Sequence, residues 1–189
     1  MARILISGGS LGGLMAANIL LRAGHDVLVL ERSTRSLEGR GAGIVTHENL
    51  RAALRQCGAV VDRTLGVPVE SRVVLDARGN AECRWVHPQV LTSWGRLYSL
   101  LRAALPAEHY RLGAQVAGVE QTEAGVAVRL ASGESVSGEL LIACDGIRSS
   151  VRAQFAPKVL PLYANYIAWR GVCDEASLSR HTRETLFGH

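Results

Sequence analysis

Lysine is nearly absent: Lys158 is the single one among 21 basic residues, and the arginines that make up the rest are scattered rather than gathered into blocks. The formal net charge of +4, with a pI near 9.2, is therefore spread thinly, and it does not make the contiguous basic surface that nucleic acid requires. Residues 32–40 and 148–152 are the candidates for contact with a small anionic ligand. Cysteine pairing is missing too. Cys57, Cys83, Cys144 and Cys173 lie far apart with no CxxC spacing, and the histidines do not cluster. That pattern excludes a zinc ribbon and a small-domain disulfide framework, and it predicts a reducing, cytoplasmic setting. There are no internal repeats and no low-complexity segments. No apolar run reaches the roughly 20 residues that a membrane span needs. Residues 3–21 have the outline of a signal peptide, but Gly8, Gly9, Gly12 and Gly13 interrupt them, and residues 25–31 read as a second strand belonging to the same unit.

What is present is a chain of 189 residues, 48% hydrophobic and 20% charged, enough for one or two compact domains with real cores. Residues 3–7 form a short apolar run, residues 11–23 carry helix formers and stop at Gly24, and residues 26–31 are apolar again. Strand, glycine turn, helix and strand make a parallel unit with a right-handed crossover, the start of a Rossmann-type fold. Residues 32–43 read as a loop and 48–56 as a helix closed by Gly58. Gly79 and Asn80 mark a hairpin between residues 72–75 and 83–86. A helix is expected over 94–105, before Pro106. A three-stranded meander follows over 114–120, 126–131 and 135–143, its last strand running into Cys144, Asp145 and Gly146. Residues 150–155 read as a short helix, 163–173 as a strand, 174–181 as a helix, and 186–189 as the start of another strand.

The turn ISGGSLGGL carries the chemistry. A dinucleotide pyrophosphate needs close approach to backbone and a helix N-terminus whose free N–H groups favour negative charge. Gly8 makes the turn and Gly13 lets the helix pack closely on the strands. Ser10 stands where GxGxxG has its second glycine; it is small, and its hydroxyl can donate to a phosphate oxygen. Glu31 closes the second strand about twenty residues on, where a carboxylate accepts from both ribose hydroxyls. NAD and FAD both fit these residues.

The set GGSLGGL, LERS, GAGI (41–44), ACDGIRSSVR (143–152) and YANYIAWRGV (163–172) resembles the FAD-dependent aromatic hydroxylases of the p-hydroxybenzoate hydroxylase superfamily. Within it, the serine-containing turn and the Tyr-rich stretch ending in WRG look most like the 2,6-dihydroxypyridine 3-monooxygenase-like proteins. The resemblance implies an α/β, Rossmann-like FAD-binding fold of the glutathione-reductase type, with an inserted β-meander and the beginning of a substrate-binding sheet. It implies a FAD-binding domain over 1–157, with strand-rich insertions around 67–90 and 114–137, and the start of a truncated substrate-binding domain over 158–189. FAD would lie extended, its ADP half against Gly8, Ser10, Leu11, Gly13 and Glu31, with Arg32 near the adenosine end. Arg40, Gly43 and Ile44 would lie near the isoalloxazine ring, and Asp145 with Gly146 would be the DG motif that touches the flavin ribose and is linked to NAD(P)H use.

The implied activity is hydroxylation of an aromatic or N-heteroaromatic ring with NAD(P)H and O₂, by a cytoplasmic protein, as a possible homodimer. No catalytic residue is assigned. Two departures stand out. Trp94 occupies the place of an arginine that many members carry three residues before Leu97, with Arg96 nearby. His47 is read as simply preceding a helix. Family members are about twice as long, and their second FAD motif is not in this chain. A non-catalytic flavin-binding fragment and a nicotinamide-dependent oxidoreductase are the alternative readings.

Overall fold

Arg3–Ser7 (β1) is apolar at successive positions because both of its faces are covered. In the computed structural model, which describes residues 1–39, 41–168 and 174–187, β1 is flanked in parallel by Asp26–Leu30 (β2) and by Leu140–Ala143 (β10). The two-residue strand Tyr110–Arg111 (β6) adds outside β2, giving the order β10-β1-β2-β6.

The alternation hidden in that apolar run decides the layers. Ile4, Ile6, Val27 and Val29 face one core with Leu14 and Ala17 of Leu11–Arg22 (α1), Leu54 of Glu48–Gln56 (α2), and Leu97 and Leu101 of Trp94–Ala104 (α3). Leu5 and Leu30 face a second core with Val116, Val128, Leu130 and Val136 of the meander. Successive strand residues point to opposite faces, so one sheet is buried between helices and a β-layer. Buried Asn18 ties α1 to α3: its Nδ2 donates to the carbonyls of Leu14 and Leu101, both at 2.9 Å, which satisfies both of its amide protons. The helix α1 ends as expected, with Gly24 at φ +88°.

The meander consists of Val116–Thr122 (β7), Gly125–Leu130 (β8) and Ser135–Gly138 (β9), paired antiparallel. Here the structure corrects the expectation of one strand over 135–143. The chain leaves the meander after Gly138 and enters the parallel sheet as β10. Glu139 fixes the crossing: its N–H donates to the Arg3 carbonyl at 2.8 Å, and its Oε1 accepts from the Arg3 N–H at 3.1 Å.

A separate antiparallel sheet has the order β3-β5-β4, from Gly43–Thr46 (β3), Val67–Leu75 (β4) and Ala81–Ser93 (β5). The expected hairpin is present; Asp76 Oδ1 accepts from the N–H groups of Arg78 and Asn80, each at 2.8 Å, across the turn. β3 was not expected, and it forms because β5 runs to Ser93 and offers residues 43–46 a partner edge.

The C-terminal expectations need two further corrections. Residues 163–168 are not a strand: Asn165 has φ +64°, and Tyr163, Tyr166 and Ile167 stay exposed with no strand beside them. The rest of that stretch, 169–173 with Trp169 and Arg170, lies outside the described residues. In place of one helix over 174–181 and a strand after it, a 3₁₀ turn at Glu175–Ser177 precedes Arg180–Phe187 (α5). Ser179 Oγ accepts from the Thr182 N–H at 3.1 Å and Arg180 pairs with Glu184 at 2.7 Å, an N-terminal cap and an i,i+4 ion pair that favour helix. Among the described residues no helix is long and apolar enough to cross a membrane.

Candidate functional site

The turn after β1 is built by contacts that exclude side chains. Gly8 has φ +98°, and a Cβ there would lie 2.4 Å from the Cys144 carbonyl oxygen. A Cβ on Gly13 would lie 1.9 Å from the Gly8 carbonyl oxygen, so α1 can start this close to β1 only with glycine there. Ser10 is the N-cap of α1, and its side chain makes no capping hydrogen bond. The N–H groups of Leu11, Gly12 and Gly13 precede the first i→i−4 bond, which Leu14 donates to the Ser10 carbonyl at 2.9 Å. No acidic residue stands in the first turn of α1. The result is a helix N-terminus with spare donors and an uncommitted hydroxyl.

Glu31 is buried beside this turn. Its Oε2 accepts from the Gly9 N–H and its Oε1 from the Ser33 N–H, both at 2.8 Å. A carboxylate has about four acceptor sites, so this one is locked in orientation and still able to accept from a ligand. On the far side, Asp145 follows β10. Its Oδ2 accepts from the Ser150 N–H at 2.9 Å, the Ser150 hydroxyl at 3.3 Å and the Val151 N–H at 3.3 Å, at the start of Ser150–Phe155 (α4). Gly146 takes φ +78°, and the Arg152 guanidinium donates to the carbonyls of Gly146 and Ile147.

These pieces meet at one open cleft of about 290 Å³, lined by Gly8, Ser10, Glu31, Arg32, Asp145 and Gly146. Trp94 and Arg148 also belong to its wall. Of the other expected residues, Gly13 is buried behind the turn and Leu11 packs against the helix-side core. Gly43 and Ile44 line a second recess with Gly41, and Trp94 borders that recess as well as the cleft. Arg40 lies outside the described residues. Arg96 does not reach the cleft wall; its Nη2 donates to Thr64 Oγ1 at 2.8 Å. His47 caps α2, its Nδ1 accepting from the Leu50 N–H at 3.2 Å.

One participant lies outside the sequence motifs. The Tyr110 hydroxyl donates to the Gly9 carbonyl at 2.9 Å. A two-residue strand has no periodicity to betray it; the only trace was an aromatic residue stranded between Pro106 and Gly113. Burial, with the Tyr98 phenol beside it, pushes the Tyr110 phenol well above its ordinary value. Burial, and then the Asp145 carboxylate, also push the Cys144 thiol up.

Residues 1–183 match the FAD binding domain family. The chain belongs to that family. Among its relatives is the aurachin C monooxygenase/isomerase of Stigmatella aurantiaca, 36% identical over 90% of this chain and 47% of that protein. Another is the 2,6-dihydroxypyridine 3-monooxygenase of Paenarthrobacter nicotinovorans, 34% identical over 90% of this chain and 43% of that protein. The solved structure of 2,6-dihydroxypyridine-3-hydroxylase from Arthrobacter nicotinovorans superposes with a TM-score of 0.78 at 33% identity, over 86% of this chain and 41% of that one. The chain thus spans less than half the length of these relatives. The resemblance and the α/β, Rossmann-like FAD-binding fold that it implied are borne out. The FAD binding domain family also decides between the two dinucleotides that the turn alone left open.

The described residues fit FAD. Glycine at positions 8 and 13 lets the turn and α1 pack backbone against backbone, the start of α1 offers unpaired N–H donors, and Glu31 lines the same cleft.

Proposed function

We propose that this chain is the FAD-holding part of a monooxygenase that hydroxylates an aromatic or N-heteroaromatic ring, with NAD(P)H as reductant and O₂ as oxygen source. The observation that carries the reading is the convergence of the Gly8–Ser10 turn, Glu31 and Asp145 with Gly146 on one cleft, in a chain whose relatives include a 2,6-dihydroxypyridine 3-monooxygenase. FAD, when bound, would supply the redox chemistry by which NAD(P)H, a proton and O₂ put one oxygen atom on the ring and release the other as water.

The chain's own residues bind and orient. The N–H groups of Leu11, Gly12 and Gly13 and the Ser10 hydroxyl face the pyrophosphate of the ADP half, favoured by the helix dipole. Glu31 accepts from the ribose hydroxyls, with Arg32 at the adenosine end. Asp145 and Gly146 meet the flavin-side ribose chain, and Gly43 and Ile44 lie toward the flavin ring. On this reading residues 1–157 are the FAD-binding domain and 158–189 begin the substrate-binding domain. The separated cysteines support a cytoplasmic setting. The partly exposed edge strand β10, with Leu140 at its surface, supports pairing with a further strand or a second copy.

The test is a visible spectrum of the purified chain after incubation with FAD and desalting, followed by NAD(P)H consumption with a panel of hydroxylated aromatic and pyridine substrates. Retained bands near about 370 and 450 nm and substrate-stimulated consumption are expected. A colourless protein rejects FAD retention by these contacts, and consumption unaffected by any ring rejects the hydroxylase reading.

A further inference from the structure

We propose that Tyr110 is a positioning residue for the dinucleotide turn: its hydroxyl holds the Gly9 carbonyl so that the next N–H, that of Ser10, is aimed at the cofactor. The inference rests on the reading of the cleft as the FAD site and goes beyond it by assigning a role to a residue outside the glycine motif.

The Gly9 residue is gripped at both of its backbone polar groups. Its N–H donates to Glu31 Oε2 at 2.8 Å, and its carbonyl accepts from Tyr110 at 2.9 Å. A Cβ on Gly9 would lie 2.3 Å from the Tyr110 hydroxyl oxygen, so the absence of a side chain at this position serves the tyrosine and not a ligand. The peptide between Gly9 and Ser10 is planar and trans, with C=O and N–H pointing opposite ways. Fixing the Gly9 oxygen on Tyr110 therefore turns the Ser10 N–H away from the ring, and Ser10 belongs to the cleft wall.

Tyr110 is itself held from several directions. It is 8% exposed, and β6 sets it opposite Val29 of β2. The Arg102 guanidinium carbon lies 4.7 Å from its ring centroid. The Tyr98 hydroxyl is 3.4 Å from its own. With the Tyr110 proton given to Gly9, Tyr98 is the donor of that pair. The phenol stays protonated at neutral pH, so it remains a donor to the turn. Residues of α3 and β6 thereby set the conformation of a loop that both elements follow in the chain by some hundred residues.

The experiment compares the unaltered chain with Tyr110→Phe, which keeps the ring and removes the hydroxyl, and with Val128→Ala, a core truncation in the meander. FAD and ADP affinities are measured by titration calorimetry, and the Gly9 and Ser10 amide signals by heteronuclear NMR. For Tyr110→Phe the expected result is about a tenfold weakening for both ligands, with the Gly9 and Ser10 signals displaced and those of Val27 and Leu28 unchanged. Val128→Ala is expected to bind both within about twofold while losing stability. Wild-type affinity in Tyr110→Phe overturns the proposal, as does an equal loss in Val128→Ala, which would make the effect one of stability. If the unaltered chain binds neither FAD nor ADP, the reading of the cleft falls first and takes the proposal with it.

Discussion

Glu31 Oε2 accepts the Gly9 N–H at 2.8 Å, so the carboxylate that closes β2 also holds the turn that opens α1. Its other oxygen takes the Ser33 N–H, and the side chain is buried. Glu31→Gln would put an NH₂ group against one of two N–H donors. The expected loss is about 1–3 kcal/mol of folding stability, because a buried donor is left unpaired, together with weaker FAD binding. Urea unfolding and a flavin titration check both. An unchanged unfolding midpoint would show that the two bonds are dispensable.

Gly12 and Gly13 are neighbours in α1 with opposite prospects. An alanine Cβ at Gly13 collides with the Gly8 carbonyl, whereas one at Gly12 meets nothing within 4 Å. Gly13→Ala is expected to destabilise by about 3 kcal/mol through forced separation of helix and turn. Gly12→Ala is expected to gain up to about 1 kcal/mol of helix propensity. Thermal unfolding of the two variants should move in opposite directions.

Cys57 is buried, and its thiol donates to the Met15 carbonyl at 3.7 Å. Burial pushes this thiol from 9.0 up to about 11. A group whose folded value is raised contributes stability that is complete below the unfolded value and is lost as pH climbs toward the folded one. Stability should therefore fall between about pH 9 and 11, more steeply in the unaltered chain than in Cys57→Ala. Cys144, also shifted upward, contributes equally to both proteins. Parallel urea midpoints against pH in the two would reject this account.

Trp94 stacks on Tyr98 with ring centroids 5.2 Å apart and planes 8° from parallel, and it borders both the cleft and the Gly43 recess. FAD should quench tryptophan emission, and Trp94→Phe should remove the larger part of that quench. Trp85, exposed on β5, should be indifferent to the ligand. An undiminished quench in Trp94→Phe would place the flavin elsewhere.

The opening unit was legible because its signals are local: an apolar run, glycines where backbone must touch backbone, helix formers ending at Gly24, and Glu31 at the end of the next strand. The hairpin around Gly79 and the start of the meander were legible for the same reason. The errors share a cause as well. β3 and β6 exist only because a distant strand offers an edge, and residues 135–143 divide between two sheets because Arg3 captures Glu139. Residues 163–168 have strand-like composition but no partner ladder, and composition alone does not make a strand.

The βαβ start, the turn that only glycine can make and the family resemblance are all readable from local sequence, since each depends on residues close together or on motif order. Tertiary structure decided which residues share the cleft, that Trp94 walls it, that Arg96 turns away toward Thr64, and that Tyr110 reaches Gly9. Those are encounters between segments far apart in the chain, and local propensity carries no information about which distant side chain or strand edge will be there to meet them.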